Sequence, residues 1–265
     1  MLATARTQPF VTLSTLGVAA RPTILFVVAY ALNTTPHEAF HALTAYWLGF
    51  NSTIFQMWVN PEPASATPVA LATIAAAGPF FSLTFGVICL LIYSRLRLRP
   101  SGLLLFMLAF VGIVCFLGPV AGAEFGGDFE TALTLVRAPG WIAAAVSVIG
   151  WLLLLAFTFQ MGRELAGWAP RHFGRAASVL STAVLPPTAG TLLILVLYWP
   201  LPRFLIGSII AGSFFWIPTM IGAAVGCNRL RPERALPVFT GADAIAAIFA
   251  IVMIRVFATG VRLAH

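Results

Sequence analysis

Between Asn33 and His41 the sequence reads Asn-Thr-Thr-Pro-His-Glu-Ala-Phe-His, placing two imidazoles and a carboxylate inside a run of otherwise apolar residues. His37 and His41 stand four apart, so on an α-helix they share one face about 6 Å apart along the axis. Both rings can then reach one metal ion. Glu38 is placed to act as the general base toward a water whose pKa the ion has lowered toward neutral. The same residues admit a metal-free reading. Thr35-Pro36-His37-Glu38 satisfies a capping box with proline at the first helical position, so Thr35 would cap a new helix and Glu38 would reach back to it. Two considerations favour the metal. An ionisable residue inside an apolar span costs roughly 3 kcal/mol or more unless partnered, and Pro36, which cannot donate to Leu32, predicts a kink or break that would admit water.

A catalytic zinc keeps three protein ligands and an open position, so a third donor is required. His172 falls in a basic Arg-His-Phe-Gly-Arg loop and His265 is the last residue; both read as solvated. Glu164, Glu233 and Asp243 read as ion-pair partners of arginines. The stretch Gly118-Pro-Val-Ala-Gly-Ala-Glu-Phe-Gly-Gly-Asp128-Phe-Glu130 stands apart, and Asp128 is the third candidate, with Glu124 its rival and Glu130 a lesser one. Asp128 could instead be a plain helix N-cap. Gly118, Gly122 and Gly126 recur at a spacing that favours helix contact. The ligand reading requires this segment to dip back toward His37 as a shielded, re-entrant turn.

The elements that must position these groups are membrane helices. Of 265 residues, 60% are hydrophobic and 9% charged, against about 25% charged in soluble domains. The fold class expected is an all-α, polytopic helical bundle with about 6–7 transmembrane helices. The apolar runs are Ile24 to Leu48, Val69 to Tyr93, Gly102 to Val120, Trp141 to Met161, Val179 to Trp199, Phe204 to Gly226 and Phe239 to Thr259. Pro186-Pro187 predicts a kink, and Gly222 with Gly226 a close helix contact.

The formal charge of +7 comes from arginine. Arg6, Arg21, Arg95, Arg97, Arg99, Arg163, Arg171, Arg175, Arg229, Arg231 and Arg234 fall on one side of the predicted spans, which the positive-inside rule makes cytoplasmic, with the N-terminus. Arginines scattered between apolar spans suit a lipid bilayer and exclude nucleic acid as a partner. Cys89, Cys115 and Cys227 are widely spaced in apolar runs and read as packing residues. Residues 1–23 read as a leader, 24–138 as the core that carries the chemistry, and 139–265 as further helices for scaffold or partner binding.

His-Glu-Ala-Phe-His followed by Ala42, Ala45, Leu48 and Gly49 resembles the active-site helix of site-2-protease-type intramembrane zinc metalloproteases. Ala77-Gly78-Pro79 is similar to a segment in that family's next core helix, and Asp128 would take the place of its later metal-binding aspartate. The resemblance implies a zinc hydrolase of the bacterial inner membrane that cleaves a transmembrane protein substrate. His37, His41 and Asp128 would hold Zn2+, with Glu38 catalytic. The alternative is a non-catalytic membrane subunit of a larger complex that keeps the scaffold.

Overall fold

The computed structural model describes residues 13–62, 66–170, 174–212, 216–227 and 239–264. It is a mostly helical bundle. Helix α1 (Leu13–Trp47) leads into a hairpin of β1 (Asn51–Ile54) and β2 (Val59–Glu62), then α2 (Pro68–Leu96), α3 (Gly102–Ala121), the short α4 (Asp128–Leu135) and α5 (Gly140–Leu165). The second half holds α6 (Arg175–Val179), α7 (Leu185–Leu197), α8 (Arg203–Gly212), α9 (Trp216–Gly226), α10 (Gly241–Phe257) and β3 (Val261–Leu263). Five helical stretches are long and apolar enough to cross a membrane: Thr15–Trp47, Pro68–Leu96, Gly102–Ala121, Gly140–Trp168 and Arg175–Leu197.

The run Phe204 to Gly226 holds α8 and α9, with residues 213–215 between them outside the described residues, and the last apolar run holds α10, of 17 residues. Three expectations are corrected. The bundle is not purely helical: β1 pairs antiparallel with β2 and with β3, in the order β2-β1-β3, with Thr53 opposite both Asn60 and Arg262. Helix α1 runs unbroken through Pro36. The Thr35 hydroxyl points at the Gln56 carbonyl, 3.4 Å away, instead of capping a new helix. Packing on several sides holds α1 together where proline alone would weaken it: Asn33, Thr34, Thr35 and His37 are all buried. Finally, α3 ends at Ala121, with the Gly122 N–H donating to the Gly118 carbonyl, so Gly118, Gly122 and Gly126 form no continuous helical stripe.

Close backbone approach sets the helix pairs. A methyl on Gly86 of α2 would lie 2.7 Å from the Ile113 backbone nitrogen of α3, and one on Gly112 would lie 2.8 Å from Gly86. The predicted contact at Gly222 and Gly226 is present: each lies against α5, on the carbonyls of Phe159 and Arg163. Ahead of Pro186-Pro187 the helix widens into a π-helical turn, Leu180–Val184, which accommodates prolines that cannot donate. Leu25, Phe106, Met107, Leu165 and Tyr198 are the centre of the apolar core.

The two ends of α1 are tied differently. At the end where α1 begins, the proximal end, Arg21 is fully buried; its Nε donates to Asp243 Oδ2 of α10 at 2.9 Å and its Nη2 to the Pro100 carbonyl at 2.6 Å. Asp243 closes a capping box with Thr240 at the same point. At the distal end the sheet gathers the end of α1, the hairpin and the end of α10, and Gln56 Nε2 donates to the Tyr198 carbonyl at 2.6 Å after α7.

Candidate metal centre

The distal half of α1 presents Phe26, Tyr30, Asn33, Thr34, His37, Glu38 and His41 along one stripe. The spacing of three and four residues keeps them on one helical face. The stripe lines a cavity of about 990 Å³, walled also by the first turns of α2, by α3, α4, α7 and α8, by Trp216 at the start of α9, and by the hairpin. His37 and His41 are 8% and 4% exposed, their ring centroids 4.8 Å apart and nearly perpendicular.

Helix α2 fixes both rings. The His41 Nδ1 lies 2.6 Å from the Ile74 carbonyl, to which it donates, so His41 Nε2 carries the lone pair. The His37 Nδ1 is 2.9 Å from Ser82 Oγ, which in turn accepts from Asn33 Nδ2 at 3.2 Å. Ser82 and Gly78 are one turn apart on α2, and Gly78 leaves the space the imidazoles occupy. A methyl there would collide with His41 Nε2 and lie 2.6 Å from His37. These are the outer partners that orient metal-binding histidines elsewhere.

The glycine-rich segment does turn back. Gly126 and Gly127 adopt φ of 135° and 101°, a backbone region side chains rarely enter. They redirect the chain into α4, with Gly127 at the cap position and Asp128 at the first helical residue. Phe129 then packs on Phe80 of α2 and Phe116 of α3, at centroid distances of 6.1 and 5.6 Å. Asp128 Oδ2 thereby reaches 3.3 Å from His37 Nε2 and 3.7 Å from His41 Nε2. Burial opposes ionisation of Asp128; its contacts with His37 and His41 outweigh burial and hold the carboxyl below its ordinary value.

His37, His41 and Asp128 each offer one ligand atom, all within 4.8 Å of one another, and together they could hold a metal ion. Glu38 lines the same cavity. The two rival acids are elsewhere: Glu124 is exposed, and Glu130 accepts from the Thr134 hydroxyl at 3.0 Å. Asp243 is the ion-pair partner of an arginine, as the sequence suggests, and that arginine is Arg21; Glu164 accepts from the Tyr93 hydroxyl at 3.4 Å. His172, His265, Glu233, Arg6, Arg171, Arg229, Arg231 and Arg234 lie outside the described residues. Ser82, Asn33 and the Ile74 carbonyl escape sequence reasoning. The one local signal for Ser82 is a hydroxyl four residues after Gly78, on the same face of an apolar helix. No protein-family model, curated protein or solved structure matches this chain.

Proposed function

We propose that this chain is a membrane-embedded zinc hydrolase of the site-2-protease type, which cleaves a peptide bond within or near a transmembrane segment. The observation that carries the reading is the convergence of two imidazole Nε2 atoms and one carboxylate oxygen beside Glu38, in a cavity inside a bundle of apolar helices. The donor set suits zinc. Ligands about 2.0–2.1 Å from a tetrahedral ion stand about 3.3 Å from one another; the carboxylate oxygen is 3.3 and 3.7 Å from the two imidazole nitrogens, and all three ligand atoms lie within 4.8 Å.

Zinc bound by His37, His41 and Asp128 would supply the Lewis acidity that lets water attack a carbonyl near neutral pH. Glu38 accepts the proton the attacking water gives up. It returns that proton to the amide nitrogen as the C–N bond breaks, leaving a carboxylic acid and an amine, and transfer of the acid's remaining proton to the amine gives the carboxylate and ammonium products. Ser82 and the Ile74 carbonyl hold the imidazoles with Nε2 turned toward Asp128. The helices around the cavity keep bulk water away from a bond that would otherwise lie in lipid.

The reading includes seven crossings, one of them formed by α8 together with α9. Helix α9 runs beside α5 in the same direction, since Phe159 meets Gly222 and Arg163 meets Gly226. Arg21, Arg95, Arg97, Arg99, Arg163 and Arg175 then fall at the proximal end and Arg137, Arg203, Arg255 and Arg262 at the distal end. That bias makes the proximal end and the N-terminus cytoplasmic, in a bacterial inner membrane.

The test is incubation of the zinc-loaded protein in bilayers with a library of single-span peptides, followed by mass spectrometry of the products. New termini formed by the wild type and absent with Glu38→Gln are expected. Absence of cleavage by protein that holds zinc would overturn the hydrolase reading in favour of a non-catalytic subunit, whose mark is copurification in a large complex.

A further inference from the structure

The three candidate ligands stand on very different supports. His37 and His41 belong to a 35-residue helix and are themselves buried. Asp128 belongs to α4, which has eight residues, none of them buried. Helices shorter than about 12–15 residues are marginal on their own, so α4 keeps its place only through what it touches. Two contacts hold its first turn: Asp128 meets the imidazoles, and the Phe129 ring packs on Phe80 of α2 and Phe116 of α3. The other end is looser. Val136, just past the last turn, lines an open cleft of about 440 Å³ together with Ala72, Thr73, Ala76 and Ala77 of α2, whose short side chains leave that space unfilled.

The chain reverses on both sides of α4. Gly126 and Gly127 precede it at φ of 135° and 101°, with open space where their side chains would be. Arg137 follows it at φ 55°, the one non-glycine with positive φ among the described residues. Residues 124–127 and 136–137 are all exposed. Segments with few buried groups and exposed flanks open locally at low cost, without unfolding the elements beside them. The same short helix also walls the large cavity, through Thr131 and Leu135.

We propose that α4 is a hinged flap that carries Asp128 to the metal, and that Phe129 is the positioning residue whose clasp on Phe80 and Phe116 sets the fraction of molecules with the flap closed. With the flap open, the centre keeps two imidazoles and the cavity loses the wall formed by Thr131 and Leu135. With it closed, the third ligand and the wall arrive together. The apparent zinc affinity therefore scales with the closed fraction, and metal binding and cavity closure favour each other. This inference rests on the proposed function for its metal, since the flap delivers a ligand.

The test uses the full chain in bilayer nanodiscs, with zinc affinity measured by chelator competition and amide hydrogen exchange followed along α3, α4 and α5. In the wild type, zinc at about ten times its Kd should slow exchange in α4 about tenfold, with α3 and α5 unchanged. Phe129→Ala should speed α4 exchange in the absence of zinc and raise the zinc Kd about 10–100-fold. Phe129→Tyr, which keeps the ring, should restore both. Zinc well above the raised Kd should again protect α4 in Phe129→Ala, because Asp128 ligation closes the flap; damage to the helix itself would not be reversed by metal. Zinc bound by the wild type with α4 exchange unchanged would overturn the flap and leave the metal reading standing. Phe129→Ala that binds zinc as tightly as the wild type would overturn the clasp. A wild type that binds no zinc would overturn the metal reading and the flap together.

Discussion

Helix α1 carries ionisable groups at both ends, and they are handled in opposite ways. At the proximal end, Arg21 and Asp243 meet at 2.9 Å with both side chains fully buried. The contact is direct, with Arg21 Nε and Nη2 both on Asp243 Oδ2, while Arg21 Nη1 and Asp243 Oδ1 have no hydrogen-bond partner among the described residues. At the distal end, His37, His41 and Asp128 are aimed at one another across 3.3 and 3.7 Å, with Glu38 alongside and a cavity of about 990 Å³ beside them. Charges that satisfy each other tie helices together; lone pairs that converge on a gap invite an ion. On the proposed reading, the difference separates a structural from a chemical use of the same costly residues in an apolar setting.

The strongest way to break that contrast is at Glu38. Glu38→Gln is expected to retain zinc and lower hydrolysis by about 10²–10⁴-fold, measured as product formation beside metal analysis on the same sample. A fall in metal content matching the fall in rate would instead make Glu38 a structural residue. The proximal pair should respond in the opposite way. Asp243→Ala strands the Arg21 guanidinium in the interior and is expected to cost roughly 3–5 kcal/mol of stability, read by thermal unfolding in detergent, while the protein that remains folded keeps its full zinc complement.

Smaller effects sharpen the comparison. Ser82→Ala removes the partner of His37 Nδ1 and should weaken metal binding by about 10–100-fold, measured by competition with a chelator, with little change in helix content. The Arg262–Glu62 pair on the sheet, 3.1 Å apart and exposed on both sides, is a third kind of charge contact. Arg262→Ala should shift stability by about 0–1 kcal/mol and leave metal affinity untouched.

How far the sequence reveals the molecule follows from how local each feature is. The pairing of His37 with His41 is legible because helical periodicity alone brings them together. Asp128 is legible because a glycine pair next to an acid, far from any arginine, has few other uses. The outer partners are not, since Ser82 and the Ile74 carbonyl meet the histidines only when α2 docks on α1. Resemblance points to Gly78, but its role as space for two imidazoles appears only in three dimensions. The Arg21–Asp243 pair joins residues 222 apart, so neither partner announces the other. The sheet is missed for a similar reason: its strands are three or four residues long and β3 returns from the far end of the chain. At Pro36 the local rule allows a break that does not occur, because packing around α1 outweighs one lost hydrogen bond.

The most direct measurement is metal stoichiometry of the purified wild-type chain beside His37→Ala and Asp128→Ala, each verified as folded. One zinc per wild-type chain and loss of bound metal in both variants are expected. A wild-type protein that takes up no metal, or an Asp128→Ala variant that keeps a full equivalent, would contradict the three-ligand centre.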